Sequence, residues 1–240
     1  MSTIWKKILL EFEDKNRIEI FKKFIKIVLI FAGGLLGLWM MFWLIFFPQG
    51  EYRVSVRDPF SGFEYLIHTG DRRVCVTDVI NYHPIKNGCL EIPESFWGMP
   101  VISVDLYSGI QEPYTSVRIP DSVIYLYGLQ IKTLESVTGG SNVRIIGAHA
   151  FSQCENLTTV ELGDKIEEVW WEAFVDCISL EEIRFGSYLK SIGECAFAGC
   201  ENLKAVDLGD NLPIEIEEDA FYGTPWLDTD EGKKFIEEQE

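Results

Sequence analysis

Apolar residues return at a fixed interval through the second half of the chain. The pair Ala-Phe stands at Ala150-Phe151, Ala173-Phe174, Ala196-Phe197 and Ala220-Phe221, with the phenylalanines 23, 23 and 24 residues apart. Three residues after each come Cys154, Cys177, Cys200 and Thr224, and three further on come Leu157, Leu180, Leu203 and Leu227. Five before each Phe stand Ile146, Val169, Ile192 and Ile216. Each leucine is followed by a short alternating stretch: Thr159-Val160-Glu161-Leu162, Glu182-Ile183-Arg184-Phe185 and Ala205-Val206-Asp207-Leu208. Alternation of apolar and polar residues predicts a strand with one buried face. Gly163, Gly186 and Gly209 follow, and are expected to let the chain turn. A coil that closes every 23 residues lays successive strands parallel, about 4.8 Å apart. No coil buries its apolar face alone, so the stack shares one core. The predicted fold is a β-solenoid of leucine-rich-repeat type, with parallel strands, short helical turns and coils of about 23 residues. The pattern does not specify the hand of the coil.

Weaker copies precede the clear ones. Ser116 to Val123 fits a strand and turn, and Leu90 to Ser95 followed by Gly98 to Val104 fits a first coil. Residues 106–142 read as irregular, with Tyr107, Tyr114, Tyr125 and Tyr127 and the turn pair Gly139-Gly140. The solenoid is placed at 90–227. Residues 48–89 hold short alternating stretches and read as an N-terminal β cap over the first coil's open edge. At the other end Pro225 cannot donate to a further ladder, and Trp226 is placed to lid the apolar end. Residues 228–240 read as an acidic C-terminal tail.

A different pattern runs from Ile27 to Phe47, 21 residues without a charge. As a helix this run is about 31 Å long, which matches the roughly 30 Å hydrocarbon core of a bilayer. Pro48 then stops the helix. The run is too long for a signal peptide, and no small-residue cleavage site follows it. A single transmembrane helix that stays in the chain is therefore expected. Gly33 and Gly37 give it a GxxxG spacing, through which two helices could pair as a homodimer. Residues 1–26 mix Trp5, Ile8, Phe12 and Phe21 with lysines, which suits either an amphipathic helix at the inner membrane surface or a plain extension of the span.

The Ile192 to Leu203 unit and Ile119-Pro120-Asp121-Ser122-Val123 resemble BspA-type leucine-rich repeats. So do the opening Ile92-Pro93-Glu94-Ser95 with Gly98-Met99-Pro100-Val101, and the closing Ala220 to Trp226. The resemblance covers just over half of the chain. It implies a bacterial, often surface-displayed protein, common in gut Firmicutes and their relatives, in a family linked to adhesion and protein binding. It brings no catalytic residues. The chain departs from that family in its few repeats, its irregular middle, and a membrane anchor where a long secreted array is usual.

The net charge of −17 is not evenly spread: residues 1–26 carry +3 and residues 48–240 carry −20. Basic residues beside a span favour the cytoplasmic side, so Lys22, Lys23 and Lys26 place the N-terminus inside and the repeats outside a bacterial cell membrane. The acidic exterior excludes nucleic acid as a partner.

Candidate chemistry is sparse. Cys154, Cys177 and Cys200 could ligate zinc, but they share one place in the coil, and Thr224 replaces them in the fourth copy. The favoured reading is a buried structural ladder, stacked beside Phe151, Phe174, Phe197 and Phe221. Cys75 and Cys89 bracket an expected hairpin and could form a disulfide outside the cell. Cys195 aligns with polar residues and is expected to be exposed. His68, His83 and His149 lie apart, with no hydrolase, phosphate-loop or metal motif. The acidic run Glu215 to Asp219 lacks the spacing of a calcium loop. Neither an enzyme nor a cofactor is expected.

Binding is the remaining class. Arg118, Thr159, Glu161, Glu182, Arg184, Ala205 and Asp207 point away from the core on a mixed-charge face. Trp170 and Trp171 stand where neighbouring coils have Gly147 and Gly193, either as an exposed anchor or as filling at the coil corner. The expected function is a membrane-anchored extracellular module that binds a protein or other macromolecule through the solenoid face. The alternative is a structural, membrane-tethered subunit of an envelope or secretion assembly.

Overall fold

The computed structural model describes residues 53–58, 61–68, 73–79, 88–106, 114–210, 213–217 and 219–239. The chain divides into two units, Met1–Gly50 and Glu51–Glu240, and every described residue belongs to the second. The expected span, its GxxxG pair Gly33 and Gly37, and the basic segment before it lie outside the described residues. Among the described residues no helix is long and apolar enough to cross a membrane.

The strands run in chain order β1 (Arg53–Asp58), β2 (Phe63–His68), β3 (Arg73–Val79), β4 (Cys89–Glu91), β5 (Ser95–Phe96), β6 (Met99–Asp105), β7 (Ser116–Ile119) and β8 (Tyr125–Tyr127). They continue as β9 (Ser136–Gly139), β10 (Ile145–Ile146), β11 (Thr159–Leu162), β12 (Glu168–Val169), β13 (Glu182–Arg184), β14 (Ser191–Ile192), β15 (Ala205–Asp207) and β16 (Glu215–Ile216). A 3-10 turn, Pro225–Asp228, and one helix, α1 (Asp230–Gln239), close the described chain.

The strands form a β-solenoid of about five turns. The first wall has the order β1-β2-β3-β6-β8-β10-β12-β14-β16, and it is parallel from β3 onward. The second wall is β4-β7-β9-β11, and it breaks before the separate pair β13-β15. Registers such as Ile145↔Glu168 and Thr159↔Ser136 are the 23-residue period expressed as neighbouring rungs.

The third side of each coil is the Ala-Phe corner, which the sequence predicted to be helical. The structure corrects this. His149, Phe151 and Gln153 donate their N–H groups to Trp171, Ala173 and Val175 carbonyls of the next coil at 3.3, 2.7 and 2.8 Å. Ala150, Ser152 and Cys154 instead donate to carbonyls three residues back in their own coil. The same alternation recurs from Glu172 to Cys177. It requires left-handed backbone at His149 and Gln153 (φ 54° and 60°) and at Glu172 and Asp176 (φ 53° and 58°), which interrupts any helix. Stacked tight turns, not helical turns, form the corner.

Gly163 and Gly186 also have a role other than the expected one. Neither has positive φ; of the three turn glycines only Gly209 does, at 73°. A Cβ on Gly186 would lie 1.9 Å from the Asp164 carbonyl oxygen, and one on Gly163 would lie 2.5 Å from Ser141 Cα. Close approach of adjacent coils is what excludes a side chain there.

The segment read as irregular is regular from 114 onward. Strands β7 to β9 pair in register, but Ser116↔Ser136 is a spacing of 20 residues. The shorter coil has no Ala-Phe, and Leu129, Ile131 and Leu134, all within 1% of full burial, fill its corner.

The core is one column per inward position. Phe151, Phe174, Phe197 and Phe221 stack with centroids 5.0, 4.9 and 5.2 Å apart and planes within 20°. Trp226, 2% exposed, lies against Phe221 at 4.6 Å and 51°, and ends the stack. Thr229 then caps α1: its Oγ1 accepts the Gly232 N–H at 3.1 Å and donates to the Trp226 carbonyl at 2.6 Å.

Candidate binding surface

The outward residues of the second wall fall where alternation places them. Arg118, Glu161, Glu182, Arg184, Ala205 and Asp207 are exposed, and Thr159 is half-buried. They do not make one continuous face. Arg118 and Glu161 share the β7-β9-β11 ladder, while Glu182, Arg184, Ala205 and Asp207 sit beyond the break on β13-β15. Arg184 pairs with Glu182 of its own strand at 2.9 Å.

The first wall carries the more distinctive surface. Glu167 accepts from both Arg144 and Lys190, the latter at 2.7 Å, tying three coils together. Lys190 first, then Arg144, hold the Glu167 carboxyl below its ordinary range. Next to this ladder the neighbouring coils have Gly147 and Gly193, which flank Trp170. A Cβ on Gly147 would lie 1.9 Å from the Tyr127 ring. That ring therefore lies across a missing side chain and meets Trp170 edge-on, with centroids 5.8 Å apart. Trp170 is half-buried, and its Nε1 donates to Glu168 at 2.8 Å.

Trp171 has the opposite fate. It is 48% exposed, edge-on to His149 at a centroid distance of 4.2 Å and 78°. His149 Nδ1 lies 3.2 Å from Glu172 Oε2. The tryptophan pair thus divides: Trp170 fills the coil surface and Trp171 stands out of it. Sequence reasoning did not bring Tyr127 or His149 to this place. The signal available was the small residue on either side of Trp170.

The cysteines are structural. Cys154, Cys177 and Cys200 are fully buried, and each thiol donates to a carbonyl one coil back: Leu129 at 3.3 Å, Phe151 at 3.1 Å and Phe174 at 3.1 Å. Burial pushes the Cys154 thiol up to about 12. The Cys177 thiol is raised too, first by its contact with Cys200 and then by burial. Such thiols are neutral donors, not metal ligands. Thr224 holds the equivalent place and donates to the Phe221 carbonyl at 2.8 Å. Among the described residues no group of three or more His, Cys, Asp or Glu side chains could hold a metal ion.

Two cysteine expectations are corrected. Cys75 and Cys89 are free thiols, not a disulfide. Cys75 sits on β3 of the first wall and Cys89 on β4 of the second, so the two strands have different partners. Burial raises the Cys75 thiol to about 11. Cys195 is half-buried, not exposed; burial and the carboxylates of Glu194, Asp219 and Glu172 raise its pKa.

Stacked coils that share a single core define a repeat scaffold. Residues 122–236 match the BspA type leucine rich repeat region in six copies. This region of the chain belongs to the BspA-type leucine-rich repeat family. A leucine rich cell surface protein from Faecalibacterium prausnitzii A2-165 is similar, with TM-score 0.61 and 25% identity over 72% of this chain and 47% of that one. A leucine-rich repeat protein from Bacteroides ovatus has TM-score 0.49 and 22% identity over 72% of this chain and 45% of that one. The chain spans about half the length of either. No curated protein matches the chain.

Proposed function

We propose that the protein is a membrane-anchored repeat module, displayed outside a bacterial cell, that binds a protein partner and performs no catalysis of its own. In this reading residues 27–47 span the membrane, residues 1–26 lie inside, and the helix is able to pair through Gly33 and Gly37. The family and the likeness to a bacterial cell surface protein support surface display. The observation that carries the binding reading is Trp171: a large aromatic residue, 48% exposed, with its ring edge-on to His149. Exposed tryptophan is a preferred interface anchor. The exposed second-wall residues, Arg118 and Glu161 on one side of the break and Glu182, Arg184 and Asp207 on the other, offer a further polar surface.

A photo-crosslinking amino acid placed at position 171 of the full chain, in intact cells, tests this. A discrete protein adduct from 171, absent from the exposed control position Tyr188, is expected. The purified partner should then bind the Trp171→Ala chain about 30-fold more weakly. Adducts from both positions alike, or from neither, would remove Trp171 from the interface.

A further inference from the structure

The second wall ends with an unfinished strand. β15 is bonded on one side only, to β13. In that parallel pair the Ala205 N–H donates to the Glu181 carbonyl at 3.3 Å, and the Phe185 N–H donates to the Asp207 carbonyl at 2.8 Å. Residues 205 and 207 therefore turn their backbone groups toward β13. The N–H and C=O of Val206 between them point the other way, to where a further coil would lie. In the middle of the wall β9 has a partner on both sides. Beyond β15 the chain only begins another rung: the Trp226 N–H donates to the Leu203 carbonyl at 2.9 Å, and Pro225–Asp228 then closes into its 3-10 turn. Among the described residues no backbone hydrogen bond engages Val206 on its open side.

A groove of about 550 Å³ runs beside this strand. Arg184, Asp207 and Gly209 line it from the wall, Glu231 and Lys234 line it from α1, and Trp226 also borders it. A groove of this size is within the range of peptide and small-ligand sites, roughly 300–1,000 Å³. Proteins normally protect a strand edge with a covering element or an inward charge. Here α1 stands across the groove from the edge, with charged residues on the groove side.

We propose that this groove accepts an extended polypeptide segment of a partner protein, which adds to β15 as a parallel strand and completes the next rung of the second wall. The chemistry on offer selects that occupant. An edge presents alternating donors and acceptors two residues apart, and an extended backbone is the ligand that matches them. The segment's inward side chain would meet Trp226, so an apolar residue suits that position. The outward positions meet both signs of charge, Asp207 and Glu231 beside Arg184 and Lys234, so the backbone pattern rather than charge selects the segment. The site is remote in sequence from Trp171, and the proposal stands whether or not Trp171 binds a partner.

The probe is a capped peptide with the sequence of β15 and its flanks, Leu-Lys-Ala-Val-Asp-Leu-Gly, the same as residues 203–209. It is added to the full chain in detergent micelles, and amide hydrogen exchange is read by residue. Saturating peptide should slow exchange at Val206 about tenfold or more. Ala205 and Asp207, already bonded to β13, should not change. The same peptide N-methylated at its alanine and aspartate, whose N–H groups would face β15, should not bind. Trp171→Ala should leave peptide affinity unaltered, which separates this site from the surface proposed above. Three outcomes overturn the proposal: equal binding of the methylated peptide, slow exchange at Val206 before peptide is added, or protection that depends on protein concentration because two copies pair edge to edge.

Discussion

The two ends of the solenoid are closed by different physics. At the N-terminal end β1, β2 and β3 extend the first wall sideways as an antiparallel meander, six residue pairs wide between β1 and β2. Val56, Tyr65, Ile67, Val74 and Val76 are buried by it. That closure hides apolar surface and pairs the outer side of β3, leaving β1 as the edge of the first wall and β4 as the edge of the second. At the C-terminal end Trp226 tilts 51° from Phe221, against 3° between Phe197 and Phe221, and so breaks the parallel stack. This seals the core but leaves the backbone of β15 open. Covering a core and completing a ladder are thus separable tasks in a repeat protein, because side chains accomplish the first and main chain the second.

Trp226→Ala should separate the two closures most clearly. It should cost about 4 kcal/mol in a denaturant titration. Because coils couple mainly to their neighbours, hydrogen exchange should rise in β15 and β16 before β1 to β3. A uniform rise would mean that the two closures act as one unit. Ile67→Ala, at a fully buried position of β2, should cost about 3 kcal/mol with the opposite pattern, loosening the meander first.

Charge gives a smaller effect. Lys190 and Arg144 lower the Glu167 carboxyl from its ordinary value of 4.5. A depressed carboxylate stabilises the fold fully above its unfolded pKa, and that contribution disappears as pH falls through the folded value. Glu167→Gln should therefore lose about 0.5 kcal/mol at pH 7, and progressively less as the pH falls through the folded value. Denaturation midpoints of variant and parent should converge toward the acid end; a constant gap across the pH range would show that the charge of Glu167 contributes nothing. The smallest perturbation is chemical. Iodoacetamide should label Cys195 before any ladder cysteine, slowly because carboxylates surround it. Cys154, Cys177 and Cys200 should react only on unfolding, and early labelling of Cys200 would show that the C-terminal closure opens.

Legibility followed the repeat. Where Ala-Phe recurs, strands, core columns and the cysteine ladder could be read directly, because each side chain meets its own equivalent one coil away. The 20-residue coil at Ser116↔Ser136 was missed, since Leu129 and Ile131 replace the aromatic marker. The corner was misread because positive φ at His149, Glu172 and Cys195 has no signature in those residue types. On the surface, the pair Trp170-Trp171 marked one corner but did not say which ring is exposed.

The order of side chains is enough to show that the chain is periodic, which positions face inward, and that its charge divides into a basic start, a neutral run and an acidic remainder. Those follow from side-chain chemistry and local alternation. Three features arise only when the coils stack: the second wall breaks between β11 and β13, Tyr127 crosses Gly147 to reach Trp170, and Val206 faces an open edge. Each depends on which coil lies next to which, and at what distance. A period states that coils repeat, but not how closely two of them approach.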